Sequence, residues 1–393
     1  MILAHRITLD PTVEQAIALA RACGVARFTW NWALAKWDEL YKAGEKPNAG
    51  KLKAMWNGIK GEAFPWVYES PKDANQQPFA NLDKAFKRFF KKKSGRPKFK
   101  KKGVHDSFYV SNDKFDIVGK MIRLPVIGHV RLREALRFAG KITAATVSRQ
   151  ADRWFVSIQV DTPDQPLPPV DEVIGVDLGI KTAAVCSDGR TFDAPKPLKR
   201  NLDRLRCLAR RVSRKVKGSK NRFKARLKLA RLRARIGNIR MDFLHKVTST
   251  LIRENQAVCV EDLNVKGLAA NRCLSRAISD IGFAEFRRML EYKAKFRGRR
   301  VVVISRWEPT SKACSGCGCL KDDLSLSDRV YRCGHCGVEI DRDLNAAINI
   351  HTAGLAEIHA CGQDGAGRGE SRDETGLDEA GTKPRANSRS LTN

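Results

Sequence analysis

Acidic side chains are scarce in this chain: aspartate and glutamate total 43 against 74 lysines and arginines over 393 residues, a formal net charge of +31. That imbalance excludes a protein whose surface meets only neutral or basic partners. Each phosphate neutralised by a basic side chain releases condensed counterions, so the charge points to nucleic acid. An apolar run long enough to cross a bilayer is also missing. The opening MILAHRITLD has neither a signal-peptide core nor a transit-peptide bias. Both absences argue against a membrane-surface protein and predict a cytoplasmic one. No internal repeat is present, which excludes a solenoid or propeller. Disorder throughout is excluded by the 42% hydrophobic content, enough for two to four compact units with cores.

Residues 2–8 alternate as a strand, and Thr12-Val13-Glu14-Gln15 has the form of a capping box opening an apolar helical run that carries Phe28, Trp30, Trp32 and Trp37. Pro47, Gly50, Pro65 and Pro71 punctuate further helical pieces, so residues 12 to about 93 read as a helical unit ending at KKKSGRPKFKKK. From about 104 to 162 the pattern becomes short alternating segments between Gly, Asp and Asn turns, which predicts a small β-barrel or sandwich. Pro163, Pro166, Pro168 and Pro169 mark a linker, with a domain boundary near 170. Residues 196–246 contain only Asp203 and Asp242 as acids, yet keep leucines and isoleucines at helical spacing. Two long helices presenting single-sign charge to phosphates are expected there. Beyond about 356 the chain is rich in Gly, Ser and charge, as in a disordered tail.

Three carboxylates stand in unusual company. Asp177 ends the apolar run Ile174-Gly175-Val176, and is followed by Ala184-Val185-Cys186 and the turn Ser187-Asp188-Gly189, as in a hairpin. Glu261 ends a second apolar run, Ala257-Val258-Cys259-Val260. Asp343 follows Asp341 at the opening of a helix-like segment, DRDLNAAINI. A buried acid must be paired or bind metal. Singly, Asp177 could cap a turn, Glu261 could pair with an arginine and Asp343 could cap its helix, with Asp341 the alternative to Asp343. Together, two strands and a helix bearing acids in this order resemble the ribonuclease-H-like fold. Such a triad suits a two-metal phosphodiester site, with magnesium the natural ion and manganese a substitute.

The eleven cysteines divide in two. Some, such as Cys186 and Cys259, are isolated in apolar runs. Cys314, Cys317, Cys333 and Cys336 form C-x2-C-x15-C-x2-C, the spacing of a four-cysteine zinc ribbon. Four thiolates leave no open coordination position, so this zinc would be structural. Cys319 and His335 lie close by but outside the paired knuckles.

The segments GVDLGIK, VEDLNVKGL, RAISDIGFAEFRRMLEYKA, SKACSGCG, YRCGHCG and DRDLNAAINI, with the upstream NLDKAFKRFF, resemble the TnpB (OrfB) proteins of bacterial insertion sequences, relatives of the type V CRISPR effectors. The resemblance runs from residue 1 to about 354. It implies a multidomain α+β protein, with a barrel-like wedge domain (1–11 and 101–170) into which a helical recognition domain (12–100) is inserted. A ribonuclease-H-like (RuvC) α/β nuclease domain follows (171–306 and 341–355), with a zinc ribbon (307–340) inserted, and then the tail (356–393). By motif, Asp177, Glu261 and Asp343 match the family's catalytic acids. The resemblance implies a transposon-encoded endonuclease that holds a noncoding guide RNA and cuts double-stranded target DNA; with no uncommitted apolar helix face in the sequence, a monomer with its RNA is expected. It also implies that a short flanking DNA motif is read through Lys72, Gln76, Ser111 and Asn112. Two other readings are a catalytically silent nucleic-acid-binding regulator and a conventional DNA-joining transposase.

Overall fold

In the computed structural model, which describes residues 1–325 and 328–363, the chain builds two sheets with helices packed on each. The first comprises β1 (Ile2–Asp10), then helices α1 (Val13–Lys42), α2 (Ala49–Ala63) and α3 (Lys72–Phe90). Six strands follow: β2 (Ser107–Ser111), β3 (Asp116–Val118), β4 (Met121–Leu124), β5 (Gly128–Leu132), β6 (Lys141–Gln150) and β7 (Arg153–Asp161). The strand order is β2-β6-β7-β1-β5-β4-β3 and all neighbours are antiparallel. Alternation settled the strands but not closure: the ladder is open, with β2 and β3 at its edges. In β1 the odd positions Leu3, His5, Ile7 and Leu9 are buried and the even ones face outward, the period-two pattern of a half-buried strand.

The capping box forms: the Gln15 N–H donates to Thr12 Oγ1, and the Thr12 N–H donates to Gln15 Oε1. The aromatic side chains of the helical unit pack together, with Trp56 against Phe28, Trp32, Phe64 and Phe79, and Trp37 stacked on Phe86 at 4.1 Å between centroids. These residues and the inward face of the sheet share one continuous core, which joins the inserted helices to the strands around them.

The second sheet contains β8 (Val173–Asp177), β9 (Ala184–Cys186) and β10 (Thr191–Phe192). After them come α4 (Pro197–Arg200), α5 (Leu202–Ser213), α6 (Lys220–Glu254), β11 (Ala257–Glu261), α7 (Val265–Ala270), α8 (Ser275–Ile281), α9 (Phe283–Arg297) and β12 (Arg300–Ile304). Its order is β10-β9-β8-β11-β12, with β8, β11 and β12 parallel and β9 antiparallel to β8. Counted within the sheet this is 3-2-1-4-5. Of the two long helices expected between 196 and 246, one is long: α6 has 35 residues and α5 has 12, the break falling at Arg214–Ser219. A small hairpin, β13 (Val330–Arg332) and β14 (Glu339–Asp341), leads into α10 (Arg342–Gln363).

α10 packs directly on the sheet because two glycines permit it. A Cβ on Gly175 of β8 would lie 2.2 Å from the Ala347 carbonyl oxygen and 2.5 Å from the His351 nitrogen, both backbone atoms of α10. A Cβ on Gly354 of α10 would likewise run into the Cys259 side chain of β11. The helix continues past position 356 to Gln363, correcting the expectation that a tail starts at 356. Ile350, Ala353 and Ile358 carry its apolar face onward against Cys259, Val302 and Ile304, so composition misled where spacing still held. The rest of the expected tail, 364–393, lies outside the described residues.

Candidate active site

β8 and β11 run side by side in parallel, with Val176 opposite Val260, so the next residues, Asp177 and Glu261, end adjacent strands at the same edge of the sheet. The first turn of α10 supplies Asp343, brought over these ends by the close packing at Gly175. Of the two acids at the start of α10, Asp341 is engaged locally. Asp341 Oδ1 accepts from the N–H groups of Asp343 (2.9 Å) and Leu344 (3.1 Å), so Asp341 caps the helix. The charge of Asp343, like that of Glu261, reaches Asp177. Burial, and then the charges of Glu261 and Asp343, push the Asp177 carboxyl up to about 7, while a hydrogen bond from the Leu178 N–H opposes the shift.

Asp262, next to Glu261, has the opposite environment. Arg287 (2.6 Å) and Arg306 bond its two oxygens and hold its carboxyl below the ordinary range. The local arginines therefore neutralise Asp262, and the three-acid cluster keeps its repulsion. Sequence reasoning missed the supports of Glu261. Thr310 donates its hydroxyl hydrogen to Glu261 Oε1. The Asn349 side-chain amide donates to the carbonyls of Thr310 (2.7 Å) and Ala313 (2.8 Å), and Asn345 donates to Ala313 (2.7 Å). Asn345 Oδ1 accepts from the Ser315 N–H, inside the first cysteine knuckle. The two asparagines in DRDLNAAINI were the available signal, since polar residues on the buried side of a helix need partners.

The four predicted cysteines converge, their sulfurs all within 4.8 Å of one another. Cys314 and Cys336 are 3.5 Å apart, and Cys317 and Cys333 3.6 Å. Tetrahedral zinc with bonds of about 2.3 Å requires sulfurs about 3.8 Å apart, so the set fits zinc. Backbone N–H groups of Cys336 and His335 hold the Cys333 thiol below its usual range, while the Cys317 and Cys336 thiols are raised, as when crowded sulfurs share one site without a metal to take their charge. Cys319 and His335 form a second group that shares Cys317. The buried ring of Tyr331 underlies the knuckles and its hydroxyl donates to the Lys312 carbonyl (3.0 Å).

The residues expected to read flanking DNA come from distant segments that the fold joins. Asp73, at the start of α3, accepts from the Ser111 N–H (2.8 Å) and Ser111 Oγ (2.9 Å) and pairs with Lys114 (2.8 Å). That clasp sets the end of β2 against α3. Lys72 and Asn112 are exposed beside it, Lys72 next to Lys60, and Gln76 donates to Asn75 (2.7 Å) and Asn57 (3.2 Å). α5 packs on α6, and Arg231 of α6 pairs with Asp152 (2.5 Å) in the turn between β6 and β7, tying the basic helices to the first sheet. Among the described residues no helix is long and apolar enough to cross a membrane.

The fold joins a mixed sheet, a four-cysteine ribbon and an antiparallel sheet with inserted helices. It is similar to the chain in a cryo-EM structure described as a Cas12f1-sgRNA-target DNA complex, at a TM-score of 0.56 and 17% identity over 85% of this chain and 82% of that one. Three family profiles match: "Probable transposase" (OrfB_IS605) at residues 155–272, "Cas12f1-like, TNB domain" at 283–350 and "Helix-turn-helix domain" at 1–46. The last span folds here as β1 and the single helix α1. A Streptomyces pristinaespiralis protein named "Putative RNA-guided DNA endonuclease" is 39% identical over 91% of this chain and 90% of its own length. An Escherichia coli K12 protein, "Putative RNA-guided DNA endonuclease InsQ", is 34% identical over 92% and 94%. The chain belongs to the TnpB (OrfB) family.

Proposed function

We propose that this protein is an RNA-guided DNA endonuclease that hydrolyses phosphodiesters at Asp177, Glu261 and Asp343. The observation that carries the reading is the placement of these three acids at the ends of β8 and β11 and the start of α10, near enough that burial and the charges of Glu261 and Asp343 push Asp177 up to about 7. The names of relatives alike over nine-tenths of the chain support the guided activity. The sheet order 3-2-1-4-5, with only the second strand reversed, is that of a ribonuclease-H-like domain, so we assign residues 171–306 and 341–355 to a RuvC-type nuclease unit. The antiparallel sheet is the wedge and residues 12–100 the recognition unit.

A cluster of mutually repelling carboxylates fits a hard divalent cation with oxygen ligands, and Asp177, Glu261 and Asp343 would hold magnesium or manganese. Such ions, when bound, lower the pKa of water and stabilise an oxyanion leaving group. The chain's own part is to fix the donor set. Thr310 orients Glu261, Gly175 admits α10 close enough for Asp343 to join, and the Asp341 cap holds the first turn in place. Asp262, neutralised by Arg287 and Arg306, stays outside the donor set. The four cysteines would hold a structural zinc, which through Cys314, Ser315 and Asn345 keeps the ribbon seated on α10. Guide RNA would run along the basic α5–α6 hairpin and the wedge, with Lys72, Gln76, Ser111 and Asn112 beside the flanking DNA motif; base pairing reads the target.

The test is to express the protein with its neighbouring DNA, sequence the RNA retained through high-salt washing, and assay cleavage of a matched duplex in magnesium. A discrete RNA and guide-dependent cutting are expected. Random RNA without cleavage would favour the regulator, and strand joining without RNA the conventional transposase.

A further inference from the structure

Tryptophan is costly to leave in water, and this chain generally avoids doing so: Trp30, Trp37, Trp56 and Trp154 are at most 8% exposed. Trp307 is 86% exposed, the most exposed large apolar side chain among the described residues. It stands in the connection leaving β12, whose last residue Ile304 pairs with Glu261. That connection is braced. The Trp307 N–H donates to Ser305 Oγ (3.3 Å), Glu308 N–H to the Ser305 carbonyl (3.2 Å), and Thr310 N–H to the Glu308 carbonyl (2.8 Å). On one side of Trp307, Arg306 is bonded to Asp262; on the other, Thr310 is bonded to Glu261. Both anchors are consecutive residues at the end of β11. The backbone that carries the exposed ring is thereby tied to the same strand end that carries a proposed catalytic acid.

We propose that Trp307 is a stacking platform for an unpaired base of the DNA strand being cut, holding the nucleotide beside the scissile phosphate at the carboxylates. The inference rests on the endonuclease reading above and specifies how that site holds its substrate. A flat aromatic face accepts any base, which suits a site that cuts without regard to sequence. The base must be unpaired, because one inside a duplex is already stacked on its neighbours.

The experiment uses the full chain with its guide RNA. Trp307→Ala and Trp307→Phe are compared for cleavage of a matched duplex. In calcium, which is expected to hold the site without turnover, binding of single-stranded oligonucleotides is measured with one abasic position moved along the strand. The wild type is expected to lose roughly tenfold in affinity at one or two positions next to the cut. Trp307→Ala should lose a similar factor with every base present, show no further loss at those positions, and cleave roughly tenfold more slowly with guide RNA retention unchanged. Trp307→Phe should recover most of the rate. Equal sensitivity to abasic positions in wild type and Trp307→Ala, full-rate cleavage by Trp307→Ala, or a loss traced to weaker guide RNA retention overturns the proposal. A wild-type protein that binds strands with the Trp307-dependent abasic pattern but cuts nothing would instead count against the nuclease reading alone.

Discussion

Replacing Asp177 by asparagine removes one charge from the cluster while keeping its shape, and the structure sets the sign of the result. Without a divalent cation, Asp177 titrates at about 7 instead of the ordinary 3.8. A carboxyl whose folded-state pKa is raised favours the folded state when protonated and opposes it when ionised. Its destabilising contribution is therefore absent below about 3.8, grows between 3.8 and 7, and is fully present above 7. At about 1.4 kcal/mol per pH unit, the cost at pH 8 reaches up to about 4 kcal/mol. The neutral amide introduced by Asp177→Asn escapes it. Metal-free Asp177→Asn protein, kept zinc-replete, should melt several degrees above wild type at pH 8, and the gap should close towards pH 4. Millimolar magnesium should raise the wild-type melting temperature and leave the variant nearly unmoved, because an occupied site relieves a repulsion the variant lacks. Cleavage should fall by at least about a thousandfold, since a metal ligand is gone. Thermal melts at pH 4 and pH 8, with and without magnesium, decide the matter. A variant less stable than wild type at pH 8 without magnesium, or equal magnesium stabilisation of both, would refute the reasoning.

Thr310→Val, nearly isosteric, should raise the magnesium concentration for half-maximal cleavage about tenfold through loss of a hydrogen bond to a charged group, with Thr310→Ser restoring it; a magnesium titration checks this. Gly175→Ala forces a Cβ into backbone atoms of α10 and should destabilise the protein by about 2–3 kcal/mol or more, read from the urea midpoint. Cys333→Ser with Cys336→Ser should reduce bound zinc from one ion per chain to none by elemental analysis and expose residues 307–340 to limited proteolysis. Asp73→Ala unpins Ser111 and should weaken binding of DNA bearing the flanking motif more than it weakens guide RNA retention, measured by filter binding of each.

Local patterns made several parts of this protein legible before any fold was known. The capping box at Thr12 and Gln15 is a contact between residues three apart, and the alternation in β1 is a property of the strand itself. The cysteine knuckles were readable because each tight C-x2-C turn places its own two sulfurs. An acid ending an apolar run marked Asp177 and Glu261, because carboxylates are rarely placed there without a task.

Tertiary structure decided what depends on residues far apart. Seeing that Asp262 is neutralised required the arginines of α9 and of the loop after β12, 25 and 44 residues further along the chain. That α10 reaches Gln363 depended on Cys259, Val302 and Ile304 lying beneath it, where composition alone suggested a tail. The open order of the first sheet, the clasp of Asp73 on Ser111 and the exposure of Trp307 beside Glu261 are likewise facts about partners. Periodicity, caps and knuckles come from the sequence because their interactions close over a few residues. Strand order, charge neutralisation and the placement of three acids at one end of a sheet come only from the fold, because their partners are brought together by packing the chain does not spell out in order.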